Sequence, residues 1–328
     1  MLKEVSVEII RKCPSECLHC SSLSDENCKE ILDYDRFVAI VQDAATLGAT
    51  TICLSGGEPF LHSKISDMVK FVASLGLQTY VYTCGVMFDE KNDRISIRKD
   101  ILEDISSKVT KLIFNIEAAT PDTYDKIMGT TGCFKKMKQS VRDAHDLGIT
   151  AEAHFVPMKL NINEVEAVID LCRELKVYRL SFLRLVLHGR AQENEAEIAL
   201  SDNDLEKFKV ELEKLKERSE IGIRIGVPLS VDKSCHKCEA AIGKLNIKYE
   251  GNVFPCEVFK NDCISHCLKG ACPENIYDKS LLEIYHNSAY LNIARNLSKD
   301  FIDSGNCKEP CVGQYLINTE GVSVSEQE

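Results

Sequence analysis

Between Val5 and Val227, short β-branched runs alternate with longer stretches whose apolar residues recur every three or four positions, and this alternation constrains the fold more than any other feature. The runs Val5–Arg11, Ala49–Leu54, Gln78–Thr83, Lys111–Glu117, Thr150–Pro157, Tyr178–Val186 and Gly222–Val227 predict strands. The stretches Asp35–Leu47, Ile65–Leu75, Phe134–Leu147, Asn163–Leu175 and Ser201–Arg218 predict helices, several of them followed by a capping glycine such as Gly48, Gly76 or Gly148. Strands and helices in such order mean parallel strands joined by right-handed crossovers. Periodicity leaves two α/β architectures open, a doubly wound sheet and a barrel.

Composition narrows the class. With 44% apolar and 28% charged residues, the 328-residue chain has ample material for a core, so disorder is excluded for most of it. An excess of 51 acidic over 40 basic residues has the wrong sign for wrapping a nucleic-acid polymer through its phosphates. No run of about 18 apolar residues occurs, and Met1 leads into the amphipathic Lys3–Ile10 segment, so a spanning helix and a signal peptide are not expected. The expectation is a cytoplasmic protein that binds neither membrane nor nucleic-acid polymer.

Sixteen cysteines in a chain read as cytoplasmic point to metal binding or catalysis, because reducing conditions keep thiols free. Eight fall at positions 13 to 172, none between 173 and 234, and eight between 235 and 311. This predicts a core domain over 1–228 and a small cysteine-rich domain over 229–328.

Cys13, Cys17 and Cys20 follow the first predicted strand with C-x3-C-x2-C spacing. Three thiolates so placed can grip three corners of an iron–sulfur cube and leave the fourth iron open. A zinc site is the alternative, with His19 or Cys28 as fourth ligand. The second strand runs into Gly56-Gly57-Glu58-Pro59, where two glycines let backbone approach a ligand closely. Together the two motifs resemble the radical S-adenosylmethionine (SAM) superfamily. Asn115-Ile116-Glu117 with Thr120-Pro121-Asp122-Thr123-Tyr124-Asp125 is similar to that family's fourth-strand motif, Asn115 and Glu117 standing for the usual Ser and Asp. Val156–Asn161 and Leu183–Ala191 resemble its fifth- and sixth-strand ends. Two positions depart from the pattern: Pro14 replaces the common Asn, and Cys84 stands where Thr-Asn-Gly is usual after the third strand.

The resemblance implies a partial (βα)6 TIM-type barrel with the site at the C-terminal ends of its strands. Cys13, Cys17 and Cys20 would hold a [4Fe-4S] cluster, with Gly56, Gly57 and Glu58 at the methionine amine of SAM. His19 would lie against adenine, and Asn115 and Glu117 would bond the ribose or methionine end. Reductive cleavage of SAM then yields a 5′-deoxyadenosyl radical that takes hydrogen from substrate, with a flavodoxin- or ferredoxin-type protein as electron donor.

In the second group, Cys238 and Cys256 frame Gly251 in a C-x12-G-x4-C pattern, and Cys235, separated from Gly251 by fifteen residues, is an alternative first cysteine. This looks like the opening of a SPASM or shorter twitch domain, in which Cys307 and Cys311 would complete an auxiliary [4Fe-4S] cluster. No cysteine follows Cys311, which favours the twitch type. Cys235, Cys263, Cys267 and Cys272 fit no recognised pattern. Cys53 and Cys172 read as packing residues. Cys84, His154 and Arg184 are the catalytic candidates: a thiol able to give a hydrogen atom, an imidazole able to move a proton, and a guanidinium able to clamp an anion.

For substrate, the first cluster cysteine stands only 13 residues from the start, which leaves no room for a preceding peptide-recognition domain and favours a small sugar- or nucleoside-like molecule, with queuosine-lyase-like base release as the most specific expectation. Maturation of a ribosomally made short peptide, by thioether formation or epimerisation, is the alternative. A non-enzymatic metal-binding scaffold is the remaining class.

Overall fold

The computed structural model describes residues 1–231, 238–260, 268, 270–303, 311–313 and 316. Eleven strands are assigned within them: β1 (Glu4–Ile10), β2 (Thr51–Gly56), β3 (Gln78–Thr83), β4 (Val86–Phe88), β5 (Arg94–Ser96), β6 (Lys111–Asn115), β7 (Ala151–Phe155), β8 (Arg179–Phe182), β9 (Gly222–Ile225), β10 (Lys244–Ile247) and β11 (Val253–Phe254). Nine form one sheet in the order β11-β10-β1-β2-β3-β6-β7-β8-β9, while β4 and β5 make a separate hairpin. Every pairing from β10 to β9 is parallel, and only β11 runs antiparallel to its neighbour. The sheet ends at β11 and β9 without closing, the partial barrel that the sequence implies.

Crossover helices cover the outside. They are α1 (Tyr34–Thr46), α2 (Ile65–Ser74), α3 (Lys99–Ile105), α4 (Pro121–Met128), α5 (Cys133–Asp146), α6 (Val165–Glu174) and α9 (Asp202–Arg218), with short turns α7 (Arg190–Glu193) and α8 (Glu195–Ile198) after β8. Side chains alternate across a strand, so each strand offers one face to these helices. Val5, Val7, Ile52, Leu54, Leu112, Phe114, Ala153, Phe155, Leu180 and Phe182 occupy that face and are fully buried in the core. Phe155 and Phe182 meet edge to face at 5.4 Å, and Phe182 reaches Phe208 of α9.

The other face is polar. Ser6, Glu8, Tyr82, Asn115, Glu152, His154, Arg179 and Ser181 lie on it by alternation. Glu152 accepts from Lys111 at 3.1 Å and Arg179 at 2.9 Å, and the Tyr82 and His154 rings meet at 5.4 Å although β6 lies between their strands. The sheet therefore curls towards this face, and its hollow is lined by charge and hydroxyl groups.

Strand β10 lies beyond the expected boundary at residue 228, yet it pairs with β1 from Glu4↔Lys244 to Val7↔Ile247. Strands β10 and β11 form a hairpin through Gly251, which sits at φ +93 where a Cβ would stand 2.5 Å from Asn275 Oδ1. Helices α10 (Leu281–Asn287) and α11 (Ala289–Asp303) follow. Ser280 caps α10, and the Leu282 N–H of α10 donates to Asp43 of α1. No helix among the described residues is long and apolar enough to cross a membrane.

Candidate active site

Cys13, Cys17 and Cys20 lie on the loop after β1 and line one cavity of about 200 Å³ at the C-terminal ends of the strands. Gly56 and Gly57 line it from β2, Tyr82, Thr83 and Cys84 from β3, and Asn115 from β6. His19 lines it as well, whereas Cys28 does not. Among the described residues no three His, Cys, Asp or Glu side chains close on a single ion. The three thiols instead surround a space.

The cysteine loop is held from behind, largely through its carbonyls. Arg190 Nε donates to Cys17 O at 3.0 Å, Arg190 Nη2 to Ser24 O at 2.6 Å, and the Arg190 backbone N–H to Cys20 O at 3.0 Å. Asn194 Nδ2 adds a bond to Leu18 O at 3.1 Å, and Arg94 Nε one to Pro14 O at 2.7 Å. Gly189 makes the approach possible, because a Cβ there would stand 2.7 Å from Cys20 O. Two loop N–H groups are also used: Glu16 N donates to Met128 O and Leu18 N to Ile127 O at the end of α4.

The glycine pair at the end of β2 passes beneath this loop. Gly57 N donates to Ile10 O at 2.7 Å and Glu58 N to Lys12 O at 2.9 Å. A Cβ on Gly56 would meet Ile10 O, and one on Gly57 would meet Lys12 O, each at 2.2 Å. Glu58 turns away from its expected place at a ligand. Its carboxylate is fully buried and accepts from Thr83 Oγ1 at 2.8 Å, Cys84 N at 2.8 Å and Phe60 N at 3.2 Å. The physical reason is local: the turn Pro59–Leu61 needs an N-terminal cap, and the end of β3 offers donors within reach. Burial raises the Glu58 pKa to about 7 against these hydrogen bonds, which pull it down.

His19 lines the cavity, and the fully buried Glu117 stands beside it. Glu117 Oε2 accepts from Val156 N at 2.8 Å, while its Oε1 lies 3.5 Å from His19 Nε2. Asn161 fixes this corner by donating to Glu117 O and Val156 O, both at 2.9 Å. Glu117 Oε1 and His19 Nδ1 are buried without a hydrogen-bond partner, a state that costs about 1–3 kcal/mol per group. Unused valences here, three thiols, and glycines clearing the strand end make a donor set that fits a three-cysteine cluster with a polar organic ligand beside it.

Of the three catalytic candidates, Cys84 alone lines the cavity. Its thiol donates to Val86 O at 3.5 Å, and neighbouring Cys13, burial and nearby Glu58 push its pKa well up. His154 sits in the hollow of the sheet against Tyr82. Burial, then Arg224, Lys111 and Arg179, depress its pKa to about 3, so its imidazole is neutral. Arg184 is half-buried beyond the end of β8 and does not line the cavity. Arg190 stands in a stretch singled out by the motif after β8, but its hold on the loop carbonyls, like that of Asn194, has no signature in the sequence.

Cys238, Cys256 and Cys311 are half-buried in the C-terminal segment, but among the described residues they do not close on a single ion. Burial raises the Cys256 pKa well above the usual thiol value, with Glu257, Cys311 and Cys238 adding to it through charge. Ser298 Oγ donates to Cys238 Sγ at 3.7 Å. Cys307, Cys235, Cys263 and Cys267 lie outside the described residues, and Cys272 is exposed. Cys172 is buried in the core, as expected. Cys53 is equally buried but faces the hollow, because its place on β2, opposite Ser6 and Tyr80, has inward parity.

A model of the family described as "Radical SAM superfamily" matches residues 7–172. PqqA peptide cyclase of Rhizobium meliloti is 24% identical over 318 residues, covering 92% of this chain and 80% of that protein. Fe-coproporphyrin III synthase of Methanosarcina barkeri is 26% identical, covering 69% of this chain and 54% of that protein. Among solved structures, Streptococcus suis SuiB bound to precursor peptide SuiA superposes with a TM-score of 0.71 at 16% identity, over 90% of this chain and 67% of that one. Native anSMEcpe with bound AdoMet superposes at 0.65 and 15% identity, over 90% of this chain and 83% of that one. These structures share the fold. With the family match spanning just over half its length, the chain belongs to the radical SAM superfamily, whose enzymes work with a [4Fe-4S] cluster and S-adenosylmethionine.

Proposed function

We propose that this radical SAM enzyme acts on a short peptide, and that its product is a matured, ribosomally made peptide. One observation carries the reading: the chain aligns with PqqA peptide cyclases over 92% of its length, at the same core and C-terminal segment. The likeness of fold to SuiB, solved with its precursor peptide, points the same way. The relatives thus favour a peptide over the sugar or nucleoside expected first.

In this reading Cys13, Cys17 and Cys20 bind three irons of the cluster, and Gly56, Gly57, Asn115, His19 and Glu117 seat S-adenosylmethionine beside it. When bound and reduced by a flavodoxin- or ferredoxin-type donor, the pair supplies a 5′-deoxyadenosyl radical that removes a hydrogen atom from substrate. Arg190 and Asn194 hold the carbonyls of Cys17, Leu18, Cys20 and Ser24 and so fix the loop that carries the three thiols. Cys84 stands at the cavity wall as the hydrogen-donor candidate, and the polar hollow receives the peptide. Cys238, Cys256, Cys307 and Cys311 hold an auxiliary [4Fe-4S] cluster in the C-terminal segment.

The test uses anaerobically reconstituted protein with dithionite and S-adenosylmethionine. Release of 5′-deoxyadenosine, stimulated by short peptides encoded beside the gene and not by nucleosides, supports the proposal. Stimulation by nucleosides alone restores the first expectation, and zinc without iron removes the enzyme reading.

A further inference from the structure

The turn Glu257–Lys260 follows Cys256 directly and carries a lysine into the hollow of the sheet. Lys260 is only 8% exposed, and its ammonium donates to the Glu8 carboxylate on β1. It also reaches Ser22 Oγ at 3.4 Å, while the Ser22 hydroxyl donates to Glu8 Oε1 at 3.2 Å. Ser22 stands two residues beyond Cys20 and lines the same cavity. Lys260, Glu8 and Ser22 thus join the C-terminal segment, the first strand and the cysteine loop in one triangle, buried at Lys260 and Glu8 and half-buried at Ser22.

Stability alone does not account for it. Taking both charges out of water costs several kcal/mol per ion, and a well-packed apolar pair often serves a core as well or better. Glu8 Oε2 is moreover buried without any partner. Burial works against the ammonium, yet Glu8, Glu257 and Cys20 keep its pKa above the ordinary lysine value. The charge is held where it faces the loop.

We propose that Lys260 is a positioning residue for the SAM-binding cluster: supplied by the C-terminal segment, it fixes the far limb of the cysteine loop through Ser22 and Glu8, and its charge behind Cys20 eases reduction of the cluster. Reduction adds a negative charge, and local positive charge raises an iron–sulfur potential. This rests on Cys13, Cys17 and Cys20 being the cluster ligands.

The experiment compares the full-length chain, reconstituted anaerobically, as wild type, Lys260→Arg, Lys260→Met and the double variant Glu8→Gln/Lys260→Met. Each is titrated potentiometrically, following the electron paramagnetic resonance signal that changes on adding S-adenosylmethionine, with iron measured on the same samples. The expected result is a cluster about tenfold harder to reduce in Lys260→Met, about 59 mV for a one-electron couple. Lys260→Arg should return most of the shift, and the double variant should remain shifted in the same direction. A wild-type potential in Lys260→Met overturns the proposal. So does a double variant that reverts to wild type, since the shift then belongs to the uncovered Glu8 carboxylate. Lost iron with an unmoved potential in what remains makes the role structural and also overturns it. No SAM-responsive signal in the wild type overturns the ligand assignment and this inference with it.

Discussion

Arg190 Nε donates to the carbonyl oxygen of Cys17 at 3.0 Å, tying the turn after β8 to the loop after β1 across 173 residues of sequence. The same guanidinium holds Ser24 O, so one planar fork fixes two points of the loop. Lysine, with a single ammonium, cannot span both in that geometry. Arg190→Lys should retain the fold but lose iron from the N-terminal site several times faster under chelator, and Arg190→Ala faster still. Each lost charge-assisted bond is worth about 1.5–3 kcal/mol. Iron release followed optically in the presence of chelator checks this, and equal release rates contradict it.

Gly57 offers a steric prediction. A Cβ there would stand 2.2 Å from Lys12 O and 2.3 Å from Arg11 O, both backbone atoms that cannot swing aside. Gly57→Ala should therefore displace the cysteine loop, lowering stability by about 1–3 kcal/mol and cluster occupancy with it. At Gly76 nothing lies within 4 Å, so Gly76→Ala meets only the strain of its φ of +74. Iron content should fall in the first variant and hold in the second.

Glu58 gives a pH dependence. Its folded pKa of about 7 lies above the ordinary carboxyl value of 4.5, because burial penalises the charge. Between pH 4.5 and 7 the native protein keeps a proton there that the unfolded chain has released. The stabilisation is complete below pH 4.5, falls as pH rises, and is gone above about 7, a span of about 3 kcal/mol. Glu58→Gln should flatten this slope in urea midpoints measured on the cluster-free protein at about pH 5 and about pH 8. A slope unchanged in the variant would place the titrating group elsewhere.

Cys84→Ser keeps the size and the cavity wall but replaces a weak S–H bond with an O–H bond too strong to yield hydrogen to a carbon radical. Cleavage of S-adenosylmethionine should continue near the wild-type rate while peptide product is largely lost. Chromatography of 5′-deoxyadenosine and product in one reaction separates the two. A parallel fall in both would make Cys84 part of the cofactor seat instead.

Most core strands were legible because they carry one apolar face, as Val5, Val7 and Ile9 do on β1, although β3 turns Thr79 and Thr83 to the core beside Val81. The cysteine triplet and the glycine pair were legible because spacing alone brings them to adjacent strand ends. The direction of the Glu58 carboxylate was not, since it depends on whether the turn Pro59–Leu61 or a ligand claims the oxygens. Strand β10 gave little signal: four residues, Lys-Leu-Asn-Ile, alternate no more strongly than many loops. Lys260 gave none, because its partner Glu8 lies 252 positions away and only the folded sheet pairs them.

The pairing of β10 with β1 bears on how the chain is made. Glu4 leaves the ribosome about 240 residues ahead of Lys244, the neighbour it pairs with. Until then β1 is a naked sheet edge, able to pair with the edge of another nascent chain. Contacts so distant in sequence also slow folding. A fragment ending at residue 228 would keep that edge bare permanently, so it is the last hundred residues that cover it.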